Sequence, residues 1–180
     1  MSVFLLIASI LCWVASLVTL PSRPLYSPAF SYFGLLGISF CETNGEQWIP
    51  VNNNMLVSWL CISVVVMMVT LMQPDAIRKQ ARGMAYMIGG AFVGLALGLL
   101  GFTVSSAVSV LYGIMIVAVA AGIFFGFLLY SNTPAGEPVN VAGGNFFKYL
   151  MAKGFPTAVS VMQIGLVLVL LVFQKNVAGV

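Results

Sequence analysis

Apolar residues run through this chain in six long blocks, and most of the proline, charge and asparagine falls between them. The blocks are residues 2–20, ended by Pro21; 28–44, opened by Ser27 and Pro28 and closed by Gly45; 55–73, followed by Pro74; 84–102; 108–130; and 157–174, opened by Pro156 and closed by Lys175. Their interiors are almost continuously apolar. A barrel strand would instead alternate polar and apolar over about ten residues, so the blocks predict helices. Ser27 is placed to cap the second helix with Pro28 in its first position, and the asparagines at 52–54 can cap the third.

Length separates these helices. Crossing a bilayer takes about 20 apolar residues, and the 17 residues of 28–44 reach only about 26 Å at 1.5 Å per residue. The pattern therefore predicts an all-α polytopic membrane helix bundle of six transmembrane helices arranged as three hairpins. Five is the alternative if the second segment is re-entrant or interfacial. The chain is read as a single integral membrane domain over 1–180. Its first twenty residues lack the positive start and small-residue cleavage site of a signal peptide, and are read as a retained helix.

Composition reinforces the pattern. Hydrophobic residues make up 61% of the chain and charged residues 6%, against about 25% charged in a soluble domain. Such a surface must face lipid. A net charge of +3, with no histidine, gives no footprint for nucleic acid and removes the usual haem ligand and commonest general base.

The few charges are informative by position. Arg78, Lys79 and Arg82, three of the seven positive residues, lie within five positions. Positive residues gather in loops that stay cytoplasmic during insertion. That makes these three a cytoplasmic anchor, puts Arg23, Lys148 and Lys153 on the same side, and leaves Lys175, Glu42 and Glu46 outside with both termini. All four acidic residues fall in loops or at interfaces. An ion-coupled transporter keeps an ionisable group inside the bilayer, and none is expected here. Between the fifth and sixth helices, NFFKYLMAK predicts a short helix capped by Asn145. On it Phe146, Phe147, Leu150 and Met151 share a face that would lie down on the cytoplasmic interface; the competing reading extends the last helix with a kink at Pro156.

Within the helices, Gly90, Gly94 and Gly98 recur at intervals of four, and Gly122 and Gly126 repeat the spacing in the next helix. Such stripes let helix backbones approach closely, which pairs these two helices and leaves a contact for a partner as the functional alternative. Cys12, Cys41 and Cys61 form no close pair. Gln163, with Ser160 one turn earlier on the same side, is the most polar residue well inside a helix. With Tyr86 and Tyr112 it forms a possible polar lining for a neutral solute. No catalytic residue, metal ligand or cofactor site is expected, and the chain is read as no enzyme.

The order of a short first helix, SRPLYSP, a second helix and a long outer loop is loosely similar to the small J-type membrane subunit of respiratory complex I. The likeness covers at most the first seventy residues. That family carries a Tyr-x-Gly-Ala stretch in its third helix, where this chain reads WLCISVVVMMV, so no family is assigned. The expectation is a small non-enzymatic structural or accessory subunit that partners the lipid bilayer, other membrane subunits or itself. The alternative is a facilitator or substrate-binding component for a neutral or lipophilic small molecule. A bacterial inner membrane suits the compact loops.

Overall fold

The computed structural model describes residues 2–43, 46–47, 49, 51–75, 83–100, 108–132 and 145–178. Within them the chain is helical apart from one two-residue antiparallel ladder, in which Glu42 pairs with Gln47 and Thr43 with Glu46. The helices are α1 (Ser2–Ser22), α2 (Ser27–Ser39), α3 (Asn53–Leu71), α4 (Met84–Leu99), α5 (Val108–Ser131), a short α6 (Asn145–Tyr149), and α7 (Phe155–Ala178). A π-helical turn, Leu150–Gly154, joins α6 to α7 without a break.

Four helical runs are long and apolar enough to cross a membrane: Val3–Ser22, Asn53–Leu71, Tyr112–Ser131 and Phe147–Leu171. The other two are shorter than the pattern predicts. Helix α2 has 13 residues and α4 has 16, so they reach about 20 and 24 Å against a hydrocarbon core of about 30 Å. Helix α2 stops early because Phe40 ends it and Glu42 already belongs to the ladder.

Packing departs from three successive hairpins. Helix α1 runs along α2, and α4 runs along α5, but α3 pairs with α2 and α7 instead of α4. Helix α7 is the centre of the bundle, touching α1, α2, α3, α4 and α5. One buried cluster joins α4, α5 and α7 through Met87, Leu95, Met115, Val119 and Met162. A second joins α2, α7 and the lead into α3 through Leu35, Ile38, Ile49 and Leu166, and Trp59 packs against both. By contrast α3 shows Val57, Leu60, Val65 and Met68 to the outside.

Local chemistry explains the ends. Asn52 caps α3, its Oδ1 accepting from the Asn54 N–H at 3.2 Å. Ser27 does not cap α2; its hydroxyl is directed between helices instead. Gly83 opens α4 at φ 80°, a left-handed conformation that glycine adopts without strain.

The π-turn follows from Pro156. A proline removes one N–H and its ring crowds the carbonyl four residues back, here that of Ala152. One extra residue in the preceding turn relieves that crowding: the Phe155 N–H bonds the Leu150 carbonyl, a step of five instead of four. The Thr157 hydroxyl donates to the Lys153 carbonyl at 2.8 Å, satisfying an acceptor in the widened turn.

The segment 145–153 is therefore the start of the last helix, not a separate interfacial one. The face it buries is not the aromatic one that the sequence would lay on the interface. Tyr149, Ala152 and Lys153 are buried, whereas Phe147 and Met151 are exposed. Tyr149 stacks on Phe127 of α5 with ring centroids 4.9 Å apart.

Candidate functional site

Several buried polar side chains of the bundle collect along α7. Ser160 hydrogen-bonds Ser27 of α2 at 2.8 Å, and Ser27 in turn bonds the Ser16 hydroxyl of α1 at 2.9 Å. Ser31 donates to the Ser160 carbonyl at 3.1 Å, and Trp13 Nε1 donates to the Ser31 carbonyl at 3.3 Å. The four serines are fully or almost fully buried, so a neutral seam of hydroxyls ties α1, α2 and α7 together. Small serine side chains permit this, because each lets the next backbone come within reach of its own oxygen.

One turn further along, Gln163 reaches α3. Its amide nitrogen donates to the Ser63 hydroxyl at 2.9 Å, while its Oε1 is buried without a partner among the described residues. Whichever way that amide is turned, one of its polar ends stays unmatched. An unmatched amide group in an apolar interior costs about 1–3 kcal/mol.

Lys153 belongs to the loop between helices in the sequence pattern, but in the structure it is 0% exposed and lies within the helical run Phe147–Leu171. Its Nζ donates to the carbonyl of Pro21 in the last turn of α1 at 2.8 Å. The final carbonyls of a helix lack intrahelical donors and carry the negative end of its dipole, so a cation is well placed there. No carboxylate pairs with Lys153 among the described residues: Glu42 and Asp75 are both exposed. A signal for this burial was present in the sequence. Lys153 sits between Ala152 and Gly154, the small neighbours that a close helix contact requires, just ahead of the proline that reshapes the turn.

The other candidate lining residues do not join this seam. Tyr86 is exposed on α4 and lies beside Tyr130, with ring centroids 5.8 Å apart. Tyr112 is half-buried near the opposite end of the α4–α5 pair, against the second core cluster. Its hydroxyl is enclosed without a partner among the described residues. Ser160 and Gln163 thus belong to the α7 seam, and Tyr86 and Tyr112 lie apart from it and from each other.

The glycines have a different arrangement. A Cβ on Gly90 would fall onto the Gly122 carbonyl, and one on Gly122 onto the Gly90 carbonyl. Gly94 faces the Ala118 carbonyl, Gly126 the Tyr86 carbonyl, and Gly98 the backbone of Met115. On the outer side of this contact runs an apolar groove of about 610 Å³, floored by Gly89, Gly90 and Gly94 and walled by Val93, Leu97 and Phe125.

Arg78, Lys79 and Arg82 lie outside the described residues, as does Glu137. Of the cysteines, Cys41 is buried, its Sγ donating to the Gly37 carbonyl at 3.5 Å, Cys12 is half-buried and Cys61 is exposed. Among the described residues no group of three His, Cys, Asp or Glu side chains gathers for a metal. No protein family, curated protein or solved structure matches the chain.

Proposed function

We propose that this chain is a small multi-pass integral membrane protein that works without catalysis, as a structural or accessory subunit of a larger membrane assembly. In this reading six helices enter a bacterial inner membrane, with α2 and α4 as its short members and the Arg78–Arg82 cluster on the cytoplasmic side. One observation carries it. The strongest buried polar groups around α7 spend their hydrogen bonds between helices: Ser160 on Ser27, Gln163 on Ser63, Lys153 on Pro21. The groove of the α4–α5 pair, in contrast, is apolar and opens outward. A bundle that uses its polarity for internal stitching and shows apolar faces on α1 and α3 is built to be held among other apolar surfaces.

The test is the mass of the native particle, measured in mild detergent after tagging the chain at its natural expression level. A particle carrying further subunits or a second copy is expected. A strict monomer with no companion would overturn the proposal.

The unmatched end of Gln163 supports a second reading, in which the amide serves a neutral solute crossing between α3 and α7. A Gln163→Leu variant that folds but no longer equilibrates a neutral solute across proteoliposomes would favour that role. Unchanged solute flux in that variant would remove it.

A further inference from the structure

Two of the enclosed polar contacts of α7 differ in whether their donors and acceptors match. In the serine seam they do. Ser16 donates to the Ser27 carbonyl at 2.9 Å, so its own oxygen receives the Ser27 hydrogen, and Ser27 receives that of Ser160. Ser31 donates to the Ser160 carbonyl, and all four hydroxyl hydrogens are spent. At the contact between α7 and α3 the count does not close. The Gln163 amide nitrogen donates to Ser63, which leaves the amide oxygen without a donor and the Ser63 hydrogen without an acceptor among the described residues. Turning the amide over moves the fault without curing it: the oxygen then accepts from Ser63, and the amide N–H groups are left over.

What these two groups lack defines the missing partner. It must donate to the Gln163 oxygen and accept from the Ser63 hydroxyl, which a group that only donates or only accepts cannot do. It must also be very small, because the two side chains already meet at 2.9 Å and are 0% and 2% exposed. A metal ion does not fit, since a cation accepts no hydrogen bond and no group of three His, Cys, Asp or Glu side chains gathers among the described residues. Lipid offers no partner at this level. Ser63 lies ten residue steps from Asn53 at the start of α3, about 15 Å along the helix, which is the middle of a hydrocarbon core of about 30 Å. A water molecule meets both requirements, and buried water settles where about two to four polar groups converge.

We propose that the Gln163–Ser63 contact is a binding site for one resident water molecule, which donates to the Gln163 amide oxygen, accepts from the Ser63 hydroxyl and closes a ring of three groups between α7 and α3. Among the described residues this contact is the one hydrogen bond that α3 makes to an oxygen or nitrogen of another helix, since Ser58 and Thr70 bond within α3 itself. The water thus completes the polar attachment of that helix. The inference rests on neither reading of the function: it stands whether the chain is held in an assembly or passes a solute, and bound water and solute flux are read by separate measurements.

The experiment is water-edited solid-state NMR on the full chain, isotope-labelled and reconstituted in phosphatidylcholine vesicles, in which magnetisation passes from water protons to the protein sites beside them. Rapid transfer to the Gln163 side-chain amide is expected, with slow transfer to Ser16, Ser27 and Ser160 in the matched seam and to the buried Leu166. The amide peak is identified by its loss in Gln163→Met; if that variant does not fold, sequential assignment of the unaltered chain identifies it instead. Ser63→Ala removes one of the two anchors and is expected to lose most of the rapid transfer while the Gln163 peak remains. Transfer to Gln163 as slow as that to Leu166 would overturn the proposal. Equally rapid transfer to the seam serines would show general wetting of the bundle and overturn a single built site. Unchanged transfer in Ser63→Ala would overturn the bridging geometry. The double variant, Gln163→Met with Ser63→Ala, gives an independent readout. Removing an amide that lacks a partner raises the midpoint of denaturation, whereas removing one that water completes does not. An unraised midpoint is expected, and a raised one would overturn the proposal as well.

Discussion

Between α4 and α5 the contact is backbone against backbone. Glycine faces glycine, and a single added carbon would collide with a carbonyl. Between α7 and its neighbours on the other side the contact is made by side chains, through Ser16, Ser27, Ser31 and Ser160, then Gln163 on Ser63 and Lys153 on Pro21. The two halves of one bundle thus solve the same problem in different ways. Helices in lipid gain nothing from hiding apolar surface from other apolar surface, so they associate through close packing or through polar bonds. The glycine contact is intolerant of added volume and indifferent to polarity. The seam should behave in the reverse manner: it tolerates small changes of volume and answers to loss of donors and acceptors.

Four tests can break or sharpen that contrast. The largest effect is expected at Gly90→Leu, whose side chain must displace the α5 backbone. Overpacking of this kind costs about 3 kcal/mol or more, read as a lowered midpoint of denaturation in mixed micelles. Lys153→Ala comes next. It leaves the Pro21 carbonyl without its donor and a hole where the buried stem lay, a loss of about 2 kcal/mol. Lys153→Met fills the hole with an uncharged chain of similar length, and it should recover most of that stability in the same assay.

Smaller still is the pair Ser27→Ala and Ser160→Ala. A double-mutant cycle should return a coupling of about 0.6 kcal/mol, the usual size of such bonds between membrane helices. A coupling near zero would show that the hydroxyls fill space and do not hold the seam. The smallest change is expected for Gly89→Ala, which meets open space and should leave the melting temperature unaltered. If Gly89→Ala and Gly90→Ala proved equally harmful, the glycines would be acting through backbone freedom and not through the α5 contact.

Much of this architecture was legible because apolar run length is a strong signal. The positions of α1, α3 and α5 follow the blocks to within two or three residues, and the proximity of Gly90–Gly98 to Gly122–Gly126 was implied by equal spacing on consecutive helices. For 145–153 the sequence leaves two readings open, an interfacial helix and an extension of the last one, and does not show which side chains pack inward. Here Phe147 and Met151 face outward, and the inward positions go to Ala152, Gly154 and a lysine. Small size and a hydrogen bond decide burial when the surroundings are themselves apolar.

The polar seam was only half visible. Gln163 and Ser160 stood out as polar residues in an apolar helix, but their partners Ser63, Ser27 and Ser16 are common small residues on three other helices. Nothing local marks them, because a bond between Ser27 and Ser160 spans 133 positions. Tyr86 and Tyr112 were grouped with them by chemistry alone. The antiparallel run of α4 and α5 sends one to each end.

The widened turn ahead of Pro156 governs more than its own five residues. Everything before it, from Asn145 to Tyr149, is held at an azimuth that includes one surplus residue. Deleting a single position there would restore ordinary winding and swing the preceding segment by about 100°. Tyr149 would turn away from Phe127 although neither residue had been altered. Which side of the entrance to the last helix looks inward is thus a matter of chain count, and a natural deletion or insertion at this point would re-aim the whole approach in one step.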